Sequence, residues 1–301
     1  MDLLRAQPRI GFGNFVRAAS IIPINDLKGA KSGRQADREH LLRCKLASCY
    51  RLVDLCGWTH GIFNHITARV ESEETDHFLI NPFGLLYNEI TASSLLKVDA
   101  KGTIIDQGTS EFGVNKAGLV LHSTIHEARP DINCVIHLHA PASVAVSAMK
   151  CGLLPLGQES TICGNVSYLE YQGMSIDEKG KELLVKNLGP TNKVLILNNQ
   201  GIVTCGETIE EAFFLAFNVV AACEAQVRAV AAGLDNIVQV KEEVREQISQ
   251  RGGGGPDAAN KDWKTGEVEF EALMRALDNL GYRTGYSYKL LPMVKSGIFE
   301  Q

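Results

Sequence analysis

Asn133-Cys134-Val135-Ile136-His137-Leu138-His139-Ala140-Pro141 is the stretch on which the fold turns. A short apolar run with β-branched residues, closed by Pro141, reads as a strand. On a strand, residues i and i+2 project from the same face. His137 and His139 therefore present two imidazoles side by side, a pair that can hold one metal ion, although zinc needs three or four ligands. The ordinary alternative is two histidines making hydrogen bonds on a half-buried strand. Upstream, one turn away, His122 and His126 are spaced i, i+4 on a segment that reads as a helix over 115–127, ended by Arg129-Pro130-Asp131. That spacing also suits a metal clamp, with Glu127 adjacent, but is as ordinary on a helix face packed against a neighbour. His65, near Gly61 in the run Asn64–Val70, reads as structural when taken alone.

Working outward, a helix is expected over Ala36–Cys56, with Leu42, Leu46, Cys49 and Val53 along one face and Gly57 as its stop. β-like runs follow at Asn64–Val70, His77–Ile80 and the hairpin Leu96–Ile105. Beyond the histidine strand come a helix over Pro141–Met149, a strand Val194–Leu197, the turn Asn198-Asn199-Gln200-Gly201, and a strand from Ile202. Thr208-Ile209-Glu210-Glu211 fits a capping box for a helix running to about Ala232, with Gly233 placed to close it. That helix is apolar nearly all round, so it belongs in a core or between subunits. Lys241–Arg251 reads as a charged helix, Gly252–Pro256 as a flexible break. Phe270, Leu273, Met274 and Leu277 mark a docking helix over 267–280. The organisation is an irregular arm 1–36, an α/β domain 37–234, and a segment 235–301 carrying the docking helix.

The chain has 301 residues, 45% hydrophobic, with a net charge of −5. That balance excludes the cationic field of a non-specific nucleic-acid binder. Eight cysteines with no C-x-x-C pair read as reduced, buried thiols. No uninterrupted apolar window reaches membrane-span length and the N-terminus has no signal-like run, so a cytoplasmic location is expected. Gly11-Phe12-Gly13 lacks the strand–helix context of a nucleotide loop, and no G-x-S-x-G is present.

Taken together, Ile80-Asn81-Pro82-Phe83-Gly84-Leu85, Ala128–Asp131, Val135–Pro141 and Leu197–Val203 resemble the class II aldolase/adducin family over about residues 37–234. Thr91–Leu95, Ala145–Pro155, Lys186–Pro190 and Glu269–Tyr286 resemble its adducin branch. The resemblance implies a three-layer α/β fold, a central mostly antiparallel sheet with helices on both faces, assembling into oligomers. In the aldolases of this family zinc sits on three histidines and a glutamate moves the proton. Carried over, His137 and His139 match the first two metal ligands, Gln200 stands at the third, and Gly118 stands at the glutamate. Lys116 and Ala117 stand where phosphate-binding serines belong. An amide is a weak donor to zinc, and losing the acid–base group alone costs ~10²–10⁴-fold. The expectation is a non-catalytic scaffold with no cofactor and at most vestigial zinc. The resemblance further implies association with other adducin subunits, F-actin and spectrin at the cytoplasmic face of the plasma membrane. The lysine-rich tail through which adducins meet actin, spectrin and calmodulin is not among these residues. The alternative is a zinc-dependent lyase or epimerase on sugar phosphates, which needs a third ligand from His122, His126 or His65 and a substitute acid.

Overall fold

A computed structural model describes residues 21–27, 33–71, 75–170, 177–250 and 263–289. The Gly11–Gly13 motif, most of the N-terminal arm and the Gly252–Pro256 break lie outside the described residues. In chain order the elements are α1 (Arg34–Leu55), β1 (His65–Val70), β2 (His77–Ile80), β3 (Leu96–Asp99), β4 (Ile104–Asp106), α2 (Lys116–Ala128), β5 (Cys134–Leu138), α3 (Pro141–Ser147) and α4 (Gln158–Ile162). They continue with β6 (Val166–Leu169), α5 (Glu178–Leu188), β7 (Val194–Leu197), β8 (Gly201–Gly206), α6 (Ile209–Ala229), α7 (Glu242–Gln250) and α8 (Glu267–Asn279).

The strands form one eight-stranded sheet in the order β4-β3-β2-β1-β5-β8-β7-β6. Each neighbouring pair is antiparallel except β6 with β7. The period-2 alternation of the strands divides the interior. Ile66 and Ala68 of β1 and Cys134, Ile136 and Leu138 of β5 face a core built with α1, α3, α6 and α8. Val135, Leu195, Val203 and Cys205 face the opposite way, onto Leu121 and Ile125 of α2 and Leu184 and Leu188 of α5. The result is the expected three-layer arrangement, a mostly antiparallel sheet between two helical layers.

α6 packs through Ala212, Phe213, Ala216, Val219, Val220 and Cys223, whereas Phe217 is half exposed. Ile209–Ala232 is long and apolar enough to cross a membrane, but half of its most apolar window is buried inside the fold, as in a core helix. Its cap differs in one bond from a reciprocal capping box. Thr208 Oγ1 accepts from Glu211 N–H at 3.1 Å, but Glu211 Oε2 accepts from the N–H of Glu207, one residue earlier than the reading required.

α8 docks as the spacing predicts: Phe270, Met274 and Leu277 are buried, Leu273 packs partly against the same core, and Leu280 is exposed. The chain after α8 clamps part of the arm. Ile24 N–H donates to Tyr282 O at 2.7 Å and Asn25 N–H to Arg283 O at 2.9 Å, while Ile24 itself is fully buried. Ile24 is thus inserted into the body, while Ile21 and Ile22 beside it stay exposed. Of the eight cysteines, six are buried, Cys56 is intermediate and Cys151 is exposed.

Candidate functional site: a cluster of histidines between the sheet and a helix

The pairing register of β1 with β5 sets His65 opposite His137 and Thr67 opposite Val135. His65, Thr67 and His137 share the face turned towards α2. Helix α2 begins at Asn115, whose side-chain oxygen accepts from Gly118 N–H at 3.2 Å. Its i, i+4 face carries His122 and His126 down onto Thr67. Both imidazoles bond the same hydroxyl, His122 Nδ1 and His126 Nε2 each 2.9 Å from Thr67 Oγ1. His126 is therefore tied up by this hydroxyl, by the carbonyl of Ile132 at 3.0 Å, and by stacking on Phe78. It is not available as a ligand. His122 is, because its other nitrogen meets no partner among the described residues.

One ring nitrogen from each of His65, His122 and His137 lies within 4.8 Å of one from each of the others, and all three residues are buried. His139 stands just past the end of β5, its Nε2 3.1 Å from His137 Nε2. His60 stacks on it with ring centroids 5.6 Å apart, and Phe63 flanks His60. Six of the chain's eight histidines thus converge on one place. Burial holds His65 and His139 down to about 4 and His126 to about 3, and pushes His122 and His137 well below the ordinary range; neighbouring imidazoles add to the effect at His65, His139, His122 and His137. All five are neutral at physiological pH.

Gly118 sits inside the first turn of α2, against the ring of His65. A Cβ built on it would lie 2.7 Å from His65 Nδ1 and closer still to two other ring atoms. The ring cannot yield freely, since it is buried and Asn115 Nδ2 donates to its Nε2 at 3.0 Å. Lys116 beside it is exposed.

The turn between β7 and β8 brings Gln200 to the end of β5. Asn199 adopts φ 62°, and Gly201 φ 145°. A side chain at Gly201 would strike the carbonyl of Leu138 and approach His139 Cα to 3.3 Å, so only glycine lets this turn press against the histidine strand. Gln200 is half-buried there. Sequence reasoning had the individual histidines, Gly118 and Gln200. It missed Thr67 as the shared hydroxyl, Asn115 as the holder of His65, and His60 as the stacking partner of His139.

Residues 44–227 match the family model described as "Class II Aldolase and Adducin N-terminal domain". Alpha-adducin of Rattus norvegicus is 53% identical over 274 residues, covering 89% of this chain but 37% of its own length. Among solved structures, an aldolase II superfamily protein from Pseudomonas syringae is similar at TM-score 0.75 and 40% identity, covering 84% of this chain and 97% of that one. L-fuculose 1-phosphate aldolase from Glaciozyma antarctica PI12 is similar at TM-score 0.71 and 27% identity, covering 87% and 97%. The chain spans little more than a third of the adducin's length. A matched model over more than half of the chain, on a fold that superposes with the aldolases, places it: the chain belongs to the class II aldolase/adducin family.

Proposed function

We propose that this chain is a non-catalytic scaffold domain, the head of an adducin-type cytoskeletal protein. In this reading it associates with further adducin subunits, of the same or another kind, and supports assembly of the spectrin–actin skeleton on the cytoplasmic side of the plasma membrane. The 53% identity to an adducin supports the class of function. The observation that carries the loss of chemistry is the meeting of Gly118 with His65. The volume beside Gly118 Cα, where the aldolase resemblance puts a proton-transferring carboxylate, is filled by an imidazole ring. A glutamate could not be restored there without displacing His65.

The donor set does not fit the family's catalytic zinc either. His137 and His139 hold their Nε2 atoms 3.1 Å apart, as two ligands of one ion would, but the third place belongs to Gln200, an uncharged and weak donor. Exposed Lys116 and Ala117 supply no hydroxyls for a sugar phosphate.

The test pairs two assays. Co-sedimentation with actin filaments and with spectrin is run on this chain and on a version extended by a basic tail; binding is expected with the extension, together with self-association of the head alone in velocity sedimentation. Retro-aldol turnover of ketose and aldose 1-phosphates is expected at the uncatalysed rate, with or without added zinc. Turnover that disappears in His139→Ala would replace the scaffold reading with that of an active lyase.

A further inference from the structure

We propose that His65, His122 and His137 form a structural site for one borderline first-row divalent cation, zinc foremost. The site lies between the sheet and α2 and is not the arrangement that runs through Gln200. The proposal does not depend on the scaffold reading, because an ion enclosed by imidazoles stabilises the fold whatever the domain binds.

Three observations converge. The first is position: three buried imidazoles each offer a nitrogen within 4.8 Å of the others. Zinc–nitrogen bonds of 2.0–2.1 Å in a tetrahedron set nitrogens about 3.3 Å apart, so ring movements that draw these three nitrogens together would seat one ion on them.

The second is a chain of tautomers that leaves His122 with a bare lone pair. The Ile132 carbonyl only accepts, so His126 Nδ1 carries the proton that bonds it. His126 Nε2 must then accept, from the hydroxyl of Thr67. With that hydroxyl's hydrogen spent, His122 Nδ1 must be the donor to Thr67 Oγ1. The proton of neutral His122 is thereby fixed on Nδ1, and Nε2 holds an unshared pair in a fully buried place with no partner among the described residues. Leaving such an acceptor unmade is unfavourable, and a metal-bound imidazole has just this outer bond to orient it.

The third is the unpartnered nitrogen of His65. Asn115 uses its oxygen on Gly118 N–H and its amide N–H on His65 Nε2. The metal-free ring therefore carries its proton on Nδ1, and Nδ1 is buried without a partner among the described residues. To coordinate through Nδ1, His65 moves that proton to Nε2 and gives up the bond from Asn115; no proton is gained or lost by the ring. Donors that are all imidazole, with no carboxylate, select zinc-like ions over magnesium or calcium.

One substitution should improve the site. Asn115→Asp keeps an oxygen for Gly118 N–H and offers the other to His65 Nε2–H, which fixes the tautomer that presents Nδ1 to the ion. Carboxylate partners of this kind are worth 10–100-fold in metal affinity.

The experiment strips the full chain with chelator, adds zinc, and measures bound metal by elemental analysis after equilibrium dialysis, with affinity from competition against a chromophoric chelator. Cobalt is substituted in parallel to read coordination from its visible spectrum. About one zinc per chain is expected, with a tetrahedral cobalt spectrum. Gln200→Ala should leave affinity unchanged, Asn115→Asp should raise it 10–100-fold, and His65→Ala and His122→Ala should each weaken it by more than 100-fold. Should His122→Ala fail to fold, Asn115→Asp, Gln200→Ala and the cobalt spectrum decide without it. The proposal is overturned by a wild type that binds no zinc after dialysis, by zinc lost in Gln200→Ala, by zinc kept in a folded His65→Ala or His122→Ala protein, or by an Asn115→Asp chain that binds no more tightly than wild type.

Discussion

Replacing Gly118 by alanine should destabilise this protein, and the sign of the effect should reverse when His65 is removed. Glycine to alanine in a helix ordinarily stabilises by up to about 1 kcal/mol, through lost unfolded-state freedom and better propensity. Here the added Cβ would sit 2.7 Å from His65 Nδ1 and inside contact distance of two further ring atoms. Forcing a group into a well-packed site costs about 1–3 kcal/mol, and turning the ring away sacrifices the Asn115–His65 bond, about 1 kcal/mol net. Gly118→Ala in the wild-type background should therefore lose about 1–3 kcal/mol. In a His65→Ala background the obstacle is gone, and the same change should gain about 0.5–1 kcal/mol. The interaction energy of the double-mutant cycle is then about 1.5–4 kcal/mol, well beyond the few tenths expected of independent sites. Urea unfolding of the four proteins in excess chelator, followed by far-UV circular dichroism, measures it. Equal shifts in both backgrounds would refute the claim that His65 fills the place of a side chain at 118.

His126, held at about 3 by burial against an ordinary 6.5, makes the fold acid-labile. Between those values the unfolded chain binds the proton and the folded one does not, so stability is complete above pH 6.5 and falls as pH drops; at pH 5 this residue alone accounts for about 2 kcal/mol. Urea titrations at pH 7 and pH 5 should show the loss, and His126→Asn should reduce the pH slope by about one proton; an unchanged slope would contradict it. In α8, Met274→Ala should cost about 2–5 kcal/mol and Phe270→Ala about 3–5, whereas Leu280→Ala should stay within about 0.5; equal effects at 274 and 280 would mean that α8 does not dock in solution. Cys151 is exposed, while burial pushes Cys44, Cys163, Cys205 and Cys223 up to about 12. Under native conditions a maleimide should modify Cys151 fastest, and mass spectrometry that finds rapid labelling at Cys205 would contradict the packing of β8.

What could be read from the sequence was what depends on near neighbours. His137 and His139 share a face because strands repeat every two residues, and His122 and His126 share one because helices repeat every 3.6. Phe270, Met274 and Leu277 declared a docking helix by the same arithmetic, and the structure buries all three. The Thr208 cap was legible, but its return bond was not, because the extended chain before the helix decides whether Glu211 reaches its own cap or the amide of Glu207. The resemblance supplied the layer order; strand pairing does not follow from local pattern. His65 shows the limit most sharply. Taken alone it looked structural, and what gives it meaning is a register that sets it across from His137, 72 positions along the chain.

The place beside Gly118 is packed, not vacant. Were it left unfilled, the first turn of α2 would border a void, and voids in interiors are destabilising. Instead an imidazole from β1 occupies the space, held by the residue that caps α2. The same helix then places His122 against Thr67, and the hydroxyl distributes its bonds so that one nitrogen of His122 is left pointing at the others. These features explain one another only together. Gly118 is tolerated because His65 is there; His65 stays because Asn115 holds it; and Asn115 stands where it does because it caps α2. Such interlocking puts the structural demand on packing and on the histidine cluster, not on the turn at Gln200. Substitutions at Gln200 should accordingly be among the mildest near the site, with Gln200→Ala and Gln200→His each within about 0.5 kcal/mol of wild type in chelator. A loss of several kcal/mol at Gln200, measured by urea unfolding, would show instead that the turn between β7 and β8 carries the structure.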